Sequence, residues 1–178
     1  MWGTNKELVA TVQDFGGHPL ALGLLASFLK EVHTGDVCRR DRIRTFFGDP
    51  ENPRHDHAKR VMESYEKEWF GGHPVLLAIM RMVGLFDRPV RSDCLNALRG
   101  RPAIEGLTER IVDLDDDEWQ RAIMRLREVR LLAPPDQSAL DALDAHPLVR
   151  EWFGEQLRVQ KEQAWRTAHG RLYKQPAR

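Results

Sequence analysis

Ala145-His146-Pro147-Leu148-Val149-Arg150-Glu151-Trp152-Phe153 sets a His-Pro step directly before a stretch of helical period. Proline suits the first turn of a helix, because the N–H it lacks would be unpaired there anyway. The same device stands near the start, in Gly16-Gly17-His18-Pro19-Leu20-Ala21-Leu22. A third copy, Phe70-Gly71-Gly72-His73-Pro74, repeats Phe15-Gly16-Gly17-His18-Pro19 letter for letter. Glycines that end one helix and a His-Pro that begins the next are the punctuation of a mainly α chain.

Working outward, almost every segment has helical period. Glu7 to Phe15 predicts a short helix stopped by Gly16-Gly17. Pro19 to His33 predicts a longer one with Leu20, Leu24, Leu25, Phe28, Leu29 and Val32 as its apolar stripe. Asp36 can cap a third, reaching Phe47. These make a small helical bundle over residues 1–48, and the Pro/Gly punctuation that follows sets residues 49–55 as a linker. Asp56 to Trp69 is a helix facing inward through Val61, Met62, Tyr65 and Trp69, and Pro74 to Phe86 is apolar nearly all round, so it should be the central, buried one. Arg91 to Leu98 and Ile104 to Val112 are further helical segments. Asp115-Asp116-Asp117-Glu118 opens the next helix with negative charge at its positive end, and Trp119, Ala122, Ile123 and Leu126 form its inner face. Arg130–Ala133, Pro134–Ser138 and Ala139–Ala145 then read as strand, turn and strand. Helices closed by a short β-hairpin predict a winged-helix subdomain over residues 56–153. Helix returns at Pro147 and persists to Tyr173 with a break near Gln160, so residues 154–178 read as a C-terminal helical extension.

Lys plus Arg and Asp plus Glu each number 27, which argues against a chain whose main business is coating nucleic acid or an anionic membrane. Cys38 and Cys94 are far apart, with no ligand-spaced neighbours, so a reducing interior is the simpler setting. The N-terminus lacks the build of a signal peptide, and the longest apolar run, Pro74 to Met80, is too short to span a bilayer. The expectation is a soluble, cytoplasmic protein.

Each chemically suggestive residue has two readings. His146, just ahead of a helix, sits where unpaired N–H groups and the dipole draw anions, so it can hydrogen-bond a phosphate; the plainer role is local packing or pairing of its ring. His55-Asp56-His57 has the flavour of a zinc site but no third and fourth ligand nearby, so a solvated helix cap fits better and no metal is expected. In a winged helix, Asp116 to Val129 would be the recognition helix, presenting Arg121 and Arg125. Four consecutive acids at its N-terminal turn would face DNA phosphates with like charge, so an ion-paired surface helix is the better reading. No serine or cysteine has a nucleophile's sequence context, and Asp113 to Glu118 lacks the spaced ligands of a calcium loop. The chain contains no Gly-x-x-x-x-Gly-Lys-Ser/Thr loop, hence no phosphate cradle of its own.

Ala145 to Phe153 resembles the Met-His-Asp motif region of NB-ARC-type signalling ATPases of the STAND class, in the His-Pro-Leu-Val-Arg-Glu form that bacterial members often write. Gly17 to Leu22 resembles the Gly-Leu-Pro-Leu-Ala motif of the family's first helical subdomain. Met62 to Tyr65, Leu76 to Asp87 and Leu126 to Leu132 resemble its winged-helix subdomain in the same order, and Gln156 to Tyr173 the helical linker towards sensor repeats. The resemblance implies that Pro19 packs on the adenine of bound ADP and that His146 touches its β-phosphate. Pro147 stands where the motif has aspartate, and the P-loop subdomain is not in this chain.

The expected function is therefore the nucleotide-sensing regulatory arm of a STAND-type switch, closing over ADP held by a P-loop ATPase domain before Met1. Catalysis by the chain alone, and a cofactor of its own, are not expected. Its partners would be that ATPase domain, sensor repeats downstream and further copies on activation, with ATP replacing ADP. The competing reading is a stand-alone winged-helix module for nucleic acid or a partner protein.

Overall fold

A computed structural model describes residues 2–43, 53–137 and 142–174. The described residues are mainly helical, with eight α-helices: α1 (Asn5–Asp14), α2 (Pro19–Val32), α3 (Pro53–Ser64), α4 (Pro74–Val83), α5 (Ser92–Arg99), α6 (Asp116–Glu128), α7 (Pro147–Gln160) and α8 (Glu162–Tyr173). None is long and apolar enough to cross a membrane. Contacts divide the chain into two compact units, residues 1–72 with 128–130, and residues 73–127 with 131–178.

The first unit is built on α2 and α3. Thr4 and Glu7 form a reciprocal capping box that starts α1. Gly16 (φ +58°) and Gly17 (φ +65°) end α1, donating to Gln13 and Val12 carbonyls, the Schellman arrangement only glycine enters cheaply. The predicted stripe of α2 is buried at Leu24, Leu25, Phe28 and Leu29. Opposite lie Val61, Met62, Tyr65 and Trp69, the predicted inner face, all buried. After Ser64 the helix widens into a π turn over Tyr65–Trp69, then tightens into a 3-10 turn over Phe70–Gly72. This stacks Phe28, Tyr65, Trp69 and Phe70 in successive tilted or edge-on contacts, with centroids 5.0–5.5 Å apart for the three closest pairs. The buried Tyr65 hydroxyl reaches the carbonyls of Leu24 (3.5 Å) and Val129 (3.4 Å).

The sequence put a boundary at residues 49–55 and gave the helix after it to the second subdomain; the compact first unit instead takes in α3 and runs to Gly72, because its inner face is buried with α2. Residues 44–52, which hold most of that linker, lie outside the described residues. The predicted third helix from Asp36 to Phe47 is a 3-10 helix over Val37–Arg42 as far as it is described, with the Asp36 carboxylate capping the Cys38 amide at 2.9 Å.

In the second unit α4 is the central helix, as its all-round apolarity predicts, with Leu76, Ala78, Ile79, Met80, Met82 and Val83 buried. It packs on α7, and just past its end the backbones of Gly84 and Gly154 touch so closely that a Cβ on either would overlap the other. The predicted helix over Ile104–Val112 is instead a run of turns. The buried Thr108 hydroxyl accepts from the Ile104 amide at 2.7 Å, and Gly106 takes φ +81°, a left-handed conformation that breaks the helical course.

The predicted hairpin is not formed as a strand pair among the described residues. Ala133 donates to the Asp144 carbonyl at 2.8 Å, but Pro134 and Pro135 remove two donors where a ladder would continue. Residues 138–141, the remainder of that hairpin, lie outside the described residues. Leu143 pairs instead with Val90 in an antiparallel bridge, with bonds of 2.7 and 2.9 Å.

The C-terminal extension does not stand apart. Helix breaks at Lys161, one residue from the predicted place, and α8 packs against α5 and α7 with Ala164 and Ala168 buried. Arg171 donates to the carbonyls of Leu98 (3.1 Å), Gly100 (2.6 Å) and Pro102 (2.5 Å), closing the end of α5.

Candidate functional site

His146 is exposed and forms the N-cap of α7. Its Nδ1 accepts the Leu148 amide at 3.2 Å. A neutral imidazole that accepts at Nδ1 carries its proton on Nε2, beside the positive end of the helix. His18 does the same at α2, its Nδ1 accepting from Ala21 at 3.3 Å, and Pro19 is exposed at the first helical position. His73 makes no such cap, and Gly71-Gly72 lies in a 3-10 turn without positive φ. Identical letters thus adopt two geometries. Pro19 belongs to the first unit and His146 to the second.

The segment leading to His146 is held by a residue to which sequence reasoning gave no role. Arg150, one turn into α7, is buried, and its guanidinium binds the Asp144 carboxylate, the Ala145 carbonyl (2.7 Å) and the Asp87 carbonyl (3.0 Å). Asp144 also accepts the Ala145 amide at 2.8 Å, and the neighbouring Leu143 is bridged to Val90. The backbone just before the histidine is therefore fixed on three sides. The available signal was an arginine four residues after the histidine, directly after the apolar Pro147-Leu148-Val149.

Beside the start of α7 lies a groove of about 470 Å³, walled by Phe86, Asp87, Pro147, Glu151, Trp165 and His169. Burial pushes the His169 imidazole pKa below its ordinary value, and its ring lies 4.3 Å from that of Trp165.

The remaining candidates resolve locally. His57 packs against the Phe15 ring at 5.9 Å, while the side chains of His55 and Asp56 lie outside those described. No group of three or more metal-ligating side chains comes together among the described residues. Asp115 and Glu118 exchange hydrogen bonds with each other's backbone amides (2.7 and 3.1 Å), which makes the acidic cluster a capping box for α6. Comparison with family models, curated proteins and solved structures finds no match.

Proposed function

We propose that this chain is the nucleotide-sensing arm of a STAND-type switch, in which His146 donates through Nε2 to the β-phosphate of ADP and Pro19 covers the adenine. The observation that carries the reading is the held presentation of His146: it caps a helix through Nδ1, is exposed, and follows a segment clamped by Arg150. A donor fixed in this way at a helix N-terminus suits a diphosphate. The winged-helix assignment of the second unit is part of the same proposal. Its support is the order α4, Val90, α5, α6, Ala133 and Leu143–Asp144, with the three extended pieces linked by backbone bonds. The nucleotide is held by a P-loop domain outside this chain, and the setting is cytoplasmic. Loss of the β-phosphate contact in the ATP state shifts a two-state equilibrium towards an open, assembling form.

The test is ADP dissociation from the full switch protein carrying His146→Ala or His146→Asn. Asparagine restores a helix cap but not the imidazole donor. Both variants are expected to release ADP about tenfold faster, the worth of one charged hydrogen bond. Unchanged ADP release and basal activity in both, or full rescue by asparagine, would reduce the histidine to a helix cap.

A further inference from the structure

Between α5 and α6 the second unit carries a cleft of about 350 Å³ that plays no part in the ADP contact. Its apolar lining is Leu95, Trp119, Ile123 and Leu143, all buried side chains. Its polar lining includes two half-buried arginines, Arg99 and Arg127. Each is anchored by a single backbone carbonyl: Arg99 Nη2 donates to Leu114 at 3.0 Å, and Arg127 Nε to Ala133 at 3.2 Å. The Arg99 guanidinium also lies 4.1 Å above the Trp119 ring, which fixes its plane.

Among the described residues, no acceptor meets the buried Arg99 Nε, and neither arginine is ion-paired. Burial disfavours the charged form of Arg99, and the nearby Asp116 carboxylate offsets this through space without forming an ion pair. Two oriented guanidiniums with spare donors are matched to a planar oxyanion. The apolar lining beside them suits a hydrocarbon body.

We propose that this cleft binds a small organic acid, its carboxylate taken by Arg99 and Arg127 and its hydrocarbon part lying on Trp119.

The test is an amide, indole and guanidinium NMR titration of the chain with benzoate, against chloride at equal ionic strength. Saturable shifts at the Trp119 indole N–H and Arg99 Nε–H are expected with benzoate alone. Arg99→Gln and Arg127→Gln should each weaken binding about tenfold, the worth of a charged hydrogen bond. Asp116→Asn removes the one acidic side chain in the cleft and should tighten binding about two- to fivefold, which keeps the test decisive if an arginine variant fails to fold. Inorganic phosphate, an oxyanion without an apolar body, should bind the same place more weakly. Shifts matched by chloride, affinities unmoved by Arg127→Gln and Asp116→Asn, or phosphate binding as tightly as benzoate would each overturn the proposal.

Discussion

Gly84 and Gly154 meet backbone to backbone, so neither has room for a methyl group. Gly84 has ordinary helical φ, so its cost on substitution is purely steric. Gly84→Ala is expected to destabilise the fold by about 3 kcal/mol, the upper range for forcing extra volume into a packed interior. Gly71→Ala meets nothing within 4 Å and serves as the control, expected near neutral. Urea midpoints of the two variants decide the matter, and equal tolerance would refute the close contact. Arg150 invites a second substitution at this scale. Its guanidinium spans three acceptors from two chain segments, so Arg150→Met should cost about 2 kcal/mol by leaving the Ala145 and Asp87 carbonyls without their donor. Arg150→Lys should recover little of this, because an ammonium cannot reproduce the planar fork; full recovery on denaturant titration would show that charge alone suffices. The histidine of this segment could be read from its place before a helix. The arginine could not, since an Arg150-Glu151 pair between apolar residues looks the same whether the arginine is exposed or clamped.

Among the elements, the start of α1 carries a titrating pair. The Cys38 thiol donates to Glu7 at 2.9 Å and, with the Thr4 amide and hydroxyl, holds the Glu7 carboxyl down to about 2. The folded value lies below the unfolded one, so this stabilisation is present above the ordinary carboxylate range. It is lost as pH falls from 4.5 towards about 2. The Glu7 carboxylate in turn pushes the Cys38 thiol up to about 11, a contribution complete below 9.0 and lost as pH rises through about 11. Glu7→Gln should therefore speed iodoacetamide labelling of Cys38 at pH 8 by about tenfold, through a larger thiolate fraction; an unchanged rate would break the pairing. At the other end, Arg171→Leu leaves three carbonyls near the end of α5 without their cation. Amide exchange in α8 is expected to rise while that of α4 holds, and parallel loss in both would contradict a local role. Helix starts and stops were legible because capping depends on a few neighbouring residues. The segment from Ile104 to Val112 read as helix because apolar period survives there, while Gly106 at φ +81° breaks the helical course.

At the scale of the molecule, the mainly helical build and the buried α4 followed from apolar pattern alone. The extent of the first unit did not. Proline and glycine after residue 47 suggested a subdomain boundary, yet Tyr65, Trp69 and Phe70 join the aromatic core begun by Phe28. Such long-range partners are invisible to a local reading of punctuation. Among the described residues the hairpin is reduced to one bond, from Ala133 to Asp144, and the bridge of Leu143 to Val90, far away in sequence, was equally out of reach of a local reading. Of the candidate residues, the helix-start placement of His146 and Pro19 was legible from the His-Pro punctuation, and the Arg150 clamp was not. With 27 basic and 27 acidic residues and an acidic start to α6, the chain is expected to give no salt-dependent shift of duplex DNA; a tight, salt-sensitive shift would favour a DNA-binding winged helix instead. The most direct test of the switch account is native mass spectrometry of the polypeptide captured from its own cells. The account predicts a mass far above 20.6 kDa, with ADP bound. A nucleotide-free polypeptide of 20.6 kDa would contradict it.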